Sequence, residues 1–316
     1  MIAAANPRYR PDRWTRRVAG PVFAVACFLA TLTGIVVLAV LLGSVVWTAF
    51  RRDTIALGAP ADGNFLAFLG SLLTNTHDVL SPEQAGFRVG IISSLWLLGL
   101  VALFAVPVGV GAGVYLEEYA TEGRLKSLIQ TNIANLAGVP SIVYGILGLA
   151  AFVQAFGLTR FALGYTMWAG ALTLGLLVLP VIVIATREAL RAVPPSLRHA
   201  ALALGANRWQ VIRDHVLPSA LPGILTGVIL AVSRAIGETA PLLMVIQATS
   251  LLDPPAGPWD DYVPMPVELY DYAKQPVGSG FEVITAGGIL ILLALLLSMN
   301  AIAIVLRNRA SRQPRA

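Results

Sequence analysis

The chain has 316 residues, 57% of them hydrophobic and only 12% charged, with a mean hydropathy of +0.76. That is too apolar for a soluble domain of this size, so the chain reads as a polytopic membrane protein. The net charge of +5 is not a nucleic-acid signature, because the arginines stand at the ends of apolar runs rather than along one face, and the single cysteine, Cys27, offers no disulfide framework or thiolate metal site.

Residues 1–17 are polar and basic (Arg8, Arg10, Arg13, Arg16, Arg17) and precede an apolar run over 18–50. A cleaved signal peptide has an apolar core of only about 7 to 15 residues, so this run is expected to be a retained first span. An external segment follows over 51–88. Its apolar piece 65–73 is too short to cross and is expected to lie in the interface or pack on the protein. The second span, 89–115, carries Pro107 and the series Gly109, Gly111, Gly113, small residues that let helix backbones approach closely. After a charged turn (Glu117, Glu118, Glu122, Arg124, Lys126), a third span over 128–156 holds Asn132, Asn135 and Pro140, and its polar side chains are expected to face the interior. A fourth span falls at 165–186, a fifth at 221–246 and a sixth at 283–306.

Six spans bring both termini to one side, and basic residues choose which. With the termini inside, the tail arginines, Arg124, Lys126, Arg187, Arg191, Arg198, Arg208, Arg213 and the C-terminal Arg307, Arg309, Arg312 and Arg315 are cytoplasmic. Only Arg51, Arg52, Arg88, Arg160 and Lys274 fall outside. The last external loop, 247–282, is acidic and proline-rich, with Trp259, Tyr262, Tyr270 and Tyr272. It is either a semi-rigid platform for an external partner or a solvated loop.

The stretch 198–222 lies between two spans yet has its own periodicity: a small apolar helix through Ala200, Ala201 and Ala203, a break at Gly205, then a second short helix that Pro218 is expected to stop. A basic structured loop there faces the cytoplasm and either docks on a partner or lies on anionic lipid.

In the fifth span, the run SRAIGETAPLL places Arg234 about 12 residues past Pro222, or roughly 18 Å at 1.5 Å per residue, near mid-bilayer. Glu238 follows at spacing four, on the same face and within pairing reach. Pro241 cannot donate to the Gly237 carbonyl, so the backbone is interrupted beside the pair. Two readings are open. The pair neutralises itself and fixes packing, or Arg234 lines a polar pathway and offers an anion its fork of donors while Glu238 holds the side chain and limits binding strength.

The 198–222 stretch resembles the cytoplasmic coupling loop of ABC importer permeases, whose motif reads Glu-Ala-Ala, three residues, Gly, nine residues, an aliphatic residue, any residue, Leu-Pro. Ala200, Ala201, Gly205, Leu217 and Pro218 fit it; His199 replaces the usual Glu, and His215 the usual aliphatic residue. RAIGETAPL, NIANLAGVPSIVYG over 132–145 and LLLSMNAIAIVLRNR over 295–309 further resemble the permeases of the phosphate-specific ABC importer, of the PstA type, with similarity from about Gly86 to Arg309.

The resemblance implies an all-α membrane protein with the six-helix type I importer permease fold and cytoplasmic termini. Its parts are a basic tail (1–17), the first helix and external loop (18–86), a permease core (87–307) with the coupling loop at 187–218, and a second tail (308–316). It also implies a substrate pathway through Arg234, Glu238 and Gly237, and a coupling loop of His199, Ala200, Ala201, Gly205, His215, Leu217 and Pro218 set in a groove of the ATPase. Implied partners are a PstC-type permease in a heterodimer, two copies of a cytoplasmic ATPase and an external phosphate-binding protein, in the plasma membrane of a prokaryote, with lipid around the spans and no nucleic acid.

No cofactor or metal is expected on this chain. It has no G-x-x-x-x-G-K-[ST], so ATP is used by the partner, and it has no H-E-x-x-H or G-x-S-x-G, which argues against an enzyme. The alternatives are an ABC permease for another oxyanion such as molybdate or sulfate, and an ion-coupled carrier or channel.

Overall fold

The computed structural model describes residues 13–50, 65–247 and 253–311, and all the regular structure among them is helical. The tail residues Arg8, Arg10, Arg312 and Arg315, together with Arg51 and Arg52, lie outside them. The chain divides into two compact units, Met1–Arg51 and Arg52–Ala316. In the first, α1 (Arg13–Phe50) is one long apolar helix, and the Thr31 and Thr33 hydroxyls donate to the carbonyls of Cys27 and Leu29 at 2.9 and 2.8 Å, so neither needs water.

The second unit begins with α2 (Phe65–Thr74) and α3 (Arg88–Val114), which runs on through a π-helical turn, Tyr115–Tyr119. Next come α4 (Arg124–Ala137), α5 (Ser141–Gly148), which continues through a π turn to Val153, α6 (Met167–Arg191) and α7 (Pro195–Ala203). The chain ends with α8 (Arg208–Gln210), α9 (Leu217–Gly237), α10 (Leu242–Val245), α11 (Met265–Ala273) and α12 (Phe281–Ser311). Among the described residues five helices are long and apolar enough to cross a membrane, and six if α4 and α5 count as one broken span.

Helix α6 forms the middle of this unit, with Leu174, Val178, Ile182 and Leu190 buried. Helix α3 lies along it through two glycines four residues apart. A Cβ at Gly109 would sit 2.7 Å from Ile182 Cγ2, and one at Gly113 2.7 Å from Thr186 Cβ, whereas Gly111 faces open space. Helix α9 approaches α6 in the same way, Gly223 facing Ala189 at 2.8 Å. Where lipid removes the hydrophobic drive between helices, this close backbone approach supplies the dispersion contact that holds them.

Three expectations are corrected. The third span is not one helix: α4 and α5 meet at 103° across Gly138, Val139 and Pro140, since proline biases the preceding residue away from helix and lacks a donor itself. Helix α4 is therefore a surface element, and Asn132 and Asn135 are exposed rather than interior. The Asn132 amide donates to its own helix at Leu128 O, 2.8 Å away.

Pro218 does not stop a helix. Arg208–Gly237 is continuous, because a π turn over Val211–Val216 widens the helix just before the proline, with the Leu217 N–H reaching back to Ile212 O, and so absorbs the missing donor.

The segment expected to form the last external loop is mostly packed rather than free over its described residues. Tyr262, Val263, Met265 and Tyr272 are buried, and the carbonyls of Asp260 and Pro258 accept from Met167 N and Trp168 N at 3.2 and 3.1 Å, satisfying the open donors at the start of α6. Trp259 remains exposed. The 65–74 helix packs as well, burying Phe68 and Leu72 against Phe87, Leu269 and Phe281.

This outer layer holds a fully buried carboxyl, Glu268 on α11, set against the Gly90 backbone in the first turn of α3, where only a residue without a Cβ leaves room. Burial pushes its pKa well above the ordinary carboxyl range. The Gly90 N–H opposes that rise and Asp271 adds to it, and neither carboxyl oxygen has a hydrogen bond of good geometry. A raised native value means that the folded chain binds the extra proton, so stability falls as pH rises from the ordinary carboxyl value through the raised one and stays reduced above it. Glu268→Gln is expected to abolish that decline, which amounts to about 1.4 kcal/mol for each pH unit separating the folded and unfolded values. Melting curves of the purified chain should coincide at acid pH and separate at alkaline pH with the variant higher. A variant that melts lower at every pH would assign the carboxylate a stabilising role.

Candidate functional site

Arg234 occupies the last turn of α9, three residues before the helix ends at Gly237. Its Nε donates to Glu238 Oε1 at 3.0 Å, and Glu238 has left the helix with extended backbone (φ −80°, ψ 108°). A cation in the last turn also complements the negative end of the helix dipole. The arginine side chain is 47% exposed and the glutamate 17%, and among the described residues the two terminal guanidinium nitrogens meet no acceptor. Glu238 thus anchors the side chain through one nitrogen while the fork that can bind two oxygens stays open. Gly237 faces open space, and a groove of about 470 Å³ beside it is lined by Thr239, Ala240, Leu243, Tyr270 and Thr285.

The break after Gly237 meets α5 just beyond the bend in the third span. A Cβ at Gly145 on α5 would lie 2.7 Å from Pro241 Cα and 2.8 Å from its carbonyl oxygen, so the two interrupted spans touch backbone to backbone. Next to Gly145, Tyr144 donates its phenol to Leu136 O at 2.8 Å and ties the end of α4 to α5 across the bend. On the other side Ser233, one residue before Arg234, donates to Asn300 Oδ1 on α12, and Arg307 Nη1 reaches Thr226 Oγ1 at 3.2 Å. All three sequence blocks that resemble the phosphate permeases therefore pack around the Arg234 break or the helix that carries it.

At the other end of the same helix lies the loop. Helix α7 ends in a Schellman motif: Gly205 takes φ +86°, its N–H donates to Leu202 O at 3.0 Å, and the Ala206 N–H reaches Ala201 O at 3.2 Å. A capping box follows at once, with Asn207 Oδ1 accepting from Gln210 N at 2.9 Å and Gln210 Oε1 accepting from Asn207 N at 2.8 Å. The turn is locked on both sides.

Ala201 is buried with Val193, Val211 and Val216, whereas His199, Ala200, Gly205, His215 and Pro218 are exposed and Leu217 is half-buried. The outward face also carries Leu202, Leu204 and Trp209, 89% exposed at Leu204. Sequence reasoning passed over these three, although large apolar residues outside a motif in a loop are the available signal. Arg208 and Arg234 stand 26 residues apart on one helix, about 39 Å at 1.5 Å per residue, so the structure joins loop and charged pair by a single continuous helix rather than by contact.

Residues 105–312 match the family described as the binding-protein-dependent transport system inner membrane component. The chain is 32% identical over 311 residues to the phosphate transport system permease protein PstA 1 of Mycobacterium tuberculosis, covering 97% of this chain and 93% of that one. It is 37% identical over 217 residues to PstA of Haemophilus influenzae, covering 68% and 73%. A 42% match to the probable ABC transporter permease protein YqgI of Bacillus subtilis runs over 165 residues and spans about half of that relative, 54% of its length.

Among solved structures, the fold is similar to a chain of a bacterial ABC transporter involved in the import of the polysaccharide alginate (TM-score 0.62, 15% identity, 94% of this chain and 99% of that one). It is also similar to a chain of the MetNI methionine ABC transporter (TM-score 0.56, 18% identity, 71% and 95%). At these identities the likeness concerns the fold.

Proposed function

The chain belongs to the family of binding-protein-dependent transport system inner membrane components, and from that premise we propose that it is the PstA-type permease of an ATP-driven importer of inorganic phosphate. It is a transporter subunit and not an enzyme. Phosphate delivered by an external binding protein passes between this chain and a PstC-type permease in the plasma membrane of a prokaryote, with both termini cytoplasmic. Two copies of an ATPase engage the loop around Gly205 from the cytoplasm.

The observation that carries this reading is the half-exposed guanidinium of Arg234, anchored by Glu238 through Nε and open at its fork. Tetrahedral oxyanions fit that fork, and the neighbouring carboxylate keeps binding weak enough for release. The exposed Asn132 and Asn135 on α4 are polar groups on an otherwise unpartnered helix face, and a second permease packed there would cover them. In the working cycle, ATP binding closes the ATPase pair, the locked turn moves as one body, and the continuous helix Arg208–Gly237 passes that motion to the pair at its far end.

The test is uptake of labelled phosphate in cells lacking their own phosphate permease, with this chain and its partners supplied, in the presence and absence of excess molybdate or sulfate. Uptake that depends on the chain and on ATP and ignores the competitors is the expected result. Block by a competitor moves the substrate to another oxyanion, which one arginine does not discriminate, and uptake independent of ATP makes the chain a carrier or channel.

A further inference from the structure

Four arginines from three helices converge on one turn at the end of α3. Glu117 and Glu118 lie on the π turn Tyr115–Tyr119, with side chains only 15% and 10% exposed. Glu117 accepts from Arg187 Nε at 3.3 Å and Arg191 Nε at 2.8 Å, both in the final turns of α6. Glu118 takes Arg198 of α7 through Nη2 at 2.6 Å and Nε at 3.5 Å, the two-toothed geometry that a guanidinium makes with a carboxylate.

The same Arg198 donates to Val193 O and Leu190 O at 2.8 and 2.9 Å. Arg208 of α8 donates to the backbone carbonyl of Glu118, and its guanidinium lies 5.2 Å from the centre of the Tyr119 ring. One residue, Glu118, thus holds both arms of the locked turn: α7 by its carboxylate and α8 by its carbonyl.

We propose that Glu118 is a positioning residue that transmits movement of the loop to α3, a second route beside the helix Arg208–Gly237. The inference rests on the reading of that loop as the part moved by the ATPase. Its physical basis is stiffness. A nearly buried carboxylate gripped by a fork that is itself held by two carbonyls has little freedom to slide, and breaking such a pair leaves an uncompensated charge.

Glu117 fixes the same turn to α6, and α3 is packed on α6 at Gly109 and Gly113 without room for a Cβ. Displacement of the loop therefore drags the end of α3 and α6 with it rather than bending the turn. The pairs span 70 to 90 residues of sequence, so none of this follows from local periodicity.

The importer assembled from this chain and its partners, reconstituted in liposomes, separates coupling from folding when ATP hydrolysis and labelled phosphate uptake are measured on the same vesicles. Glu118→Gln is expected to hydrolyse ATP near the wild-type rate while phosphate moved per ATP falls about tenfold, within the usual range of coupling between sites. Arg198→Gln should do the same, and the double variant should be no worse than either single, because both act through one contact. An unchanged ratio in Glu118→Gln, whether the two rates are normal or fall together, overturns the proposal, since a purely structural contact moves both in parallel. Should that variant yield no assembled importer, Arg198→Lys, which keeps the charge and loses the fork, is read by the same ratio. A wild-type importer that hydrolyses no ATP or moves no phosphate sinks the transport reading instead.

Discussion

Arg234→Gln is expected to lower the initial rate of phosphate uptake by roughly ten- to a hundredfold, the loss that follows when a hydrogen-bonded, charged partner of an anion is removed. Two effects act together. The fork that is open in the structure disappears, and Glu238, whose side chain is only 17% exposed, is left as an unpaired negative charge at the helix break. Adding Glu238→Gln separates them. If Arg234 binds the anion, the double variant stays inactive, because no donor fork is restored. Recovery in the double variant would reduce Arg234 to a counter-ion for Glu238 and return the pair to a packing role.

Gly205→Val is expected to abolish ATP-driven uptake while leaving the chain inserted in the membrane. Gly205 adopts φ +86°, a conformation that costs a β-branched residue on the order of 1 to 3 kcal/mol, and a Cβ there would meet nothing within 4 Å. The effect therefore acts on the backbone of the Schellman turn and not through a clash with the core. Asparagine tolerates the left-handed region better than valine, so Gly205→Asn should retain most of the uptake, and the order Gly, Asn, Val is the signature to look for. Normal transport by Gly205→Val would remove the turn from the coupling path.

Much of the site was legible because it is local. Arg234 and Glu238 stand four residues apart on one strongly apolar run, and a proline follows three residues later; spacing and depth suffice to bring the two charges together at an interrupted helix. Gly205, between two short periodic stretches, announces a left-handed helix end in the same way, and Gly109 with Gly113 announces a close approach. Locality also produced the errors. Pro218 reads as a stop because proline lacks a donor, yet the structure spends a π turn ahead of it and keeps the helix going. Asn132 and Asn135 read as interior because they fall in an apolar window, yet the bend at Pro140 turns their helix onto the surface.

The sequence alone determined the membrane class, the number of apolar runs, the charged pair in the fifth of them and the glycine at the loop, since each depends on composition or on residues within one helical turn of one another. Only the tertiary structure decided that the break of the fifth span, at Pro241, packs on Gly145 of α5, that Glu268 is buried beside Gly90, and that Glu117 and Glu118 collect arginines from three other helices. The reason is physical. A contact between residues 70 to 200 positions apart is set by which helix faces can approach without a Cβ between them and by which charges must find partners once water is excluded, and neither condition leaves a period in the chain.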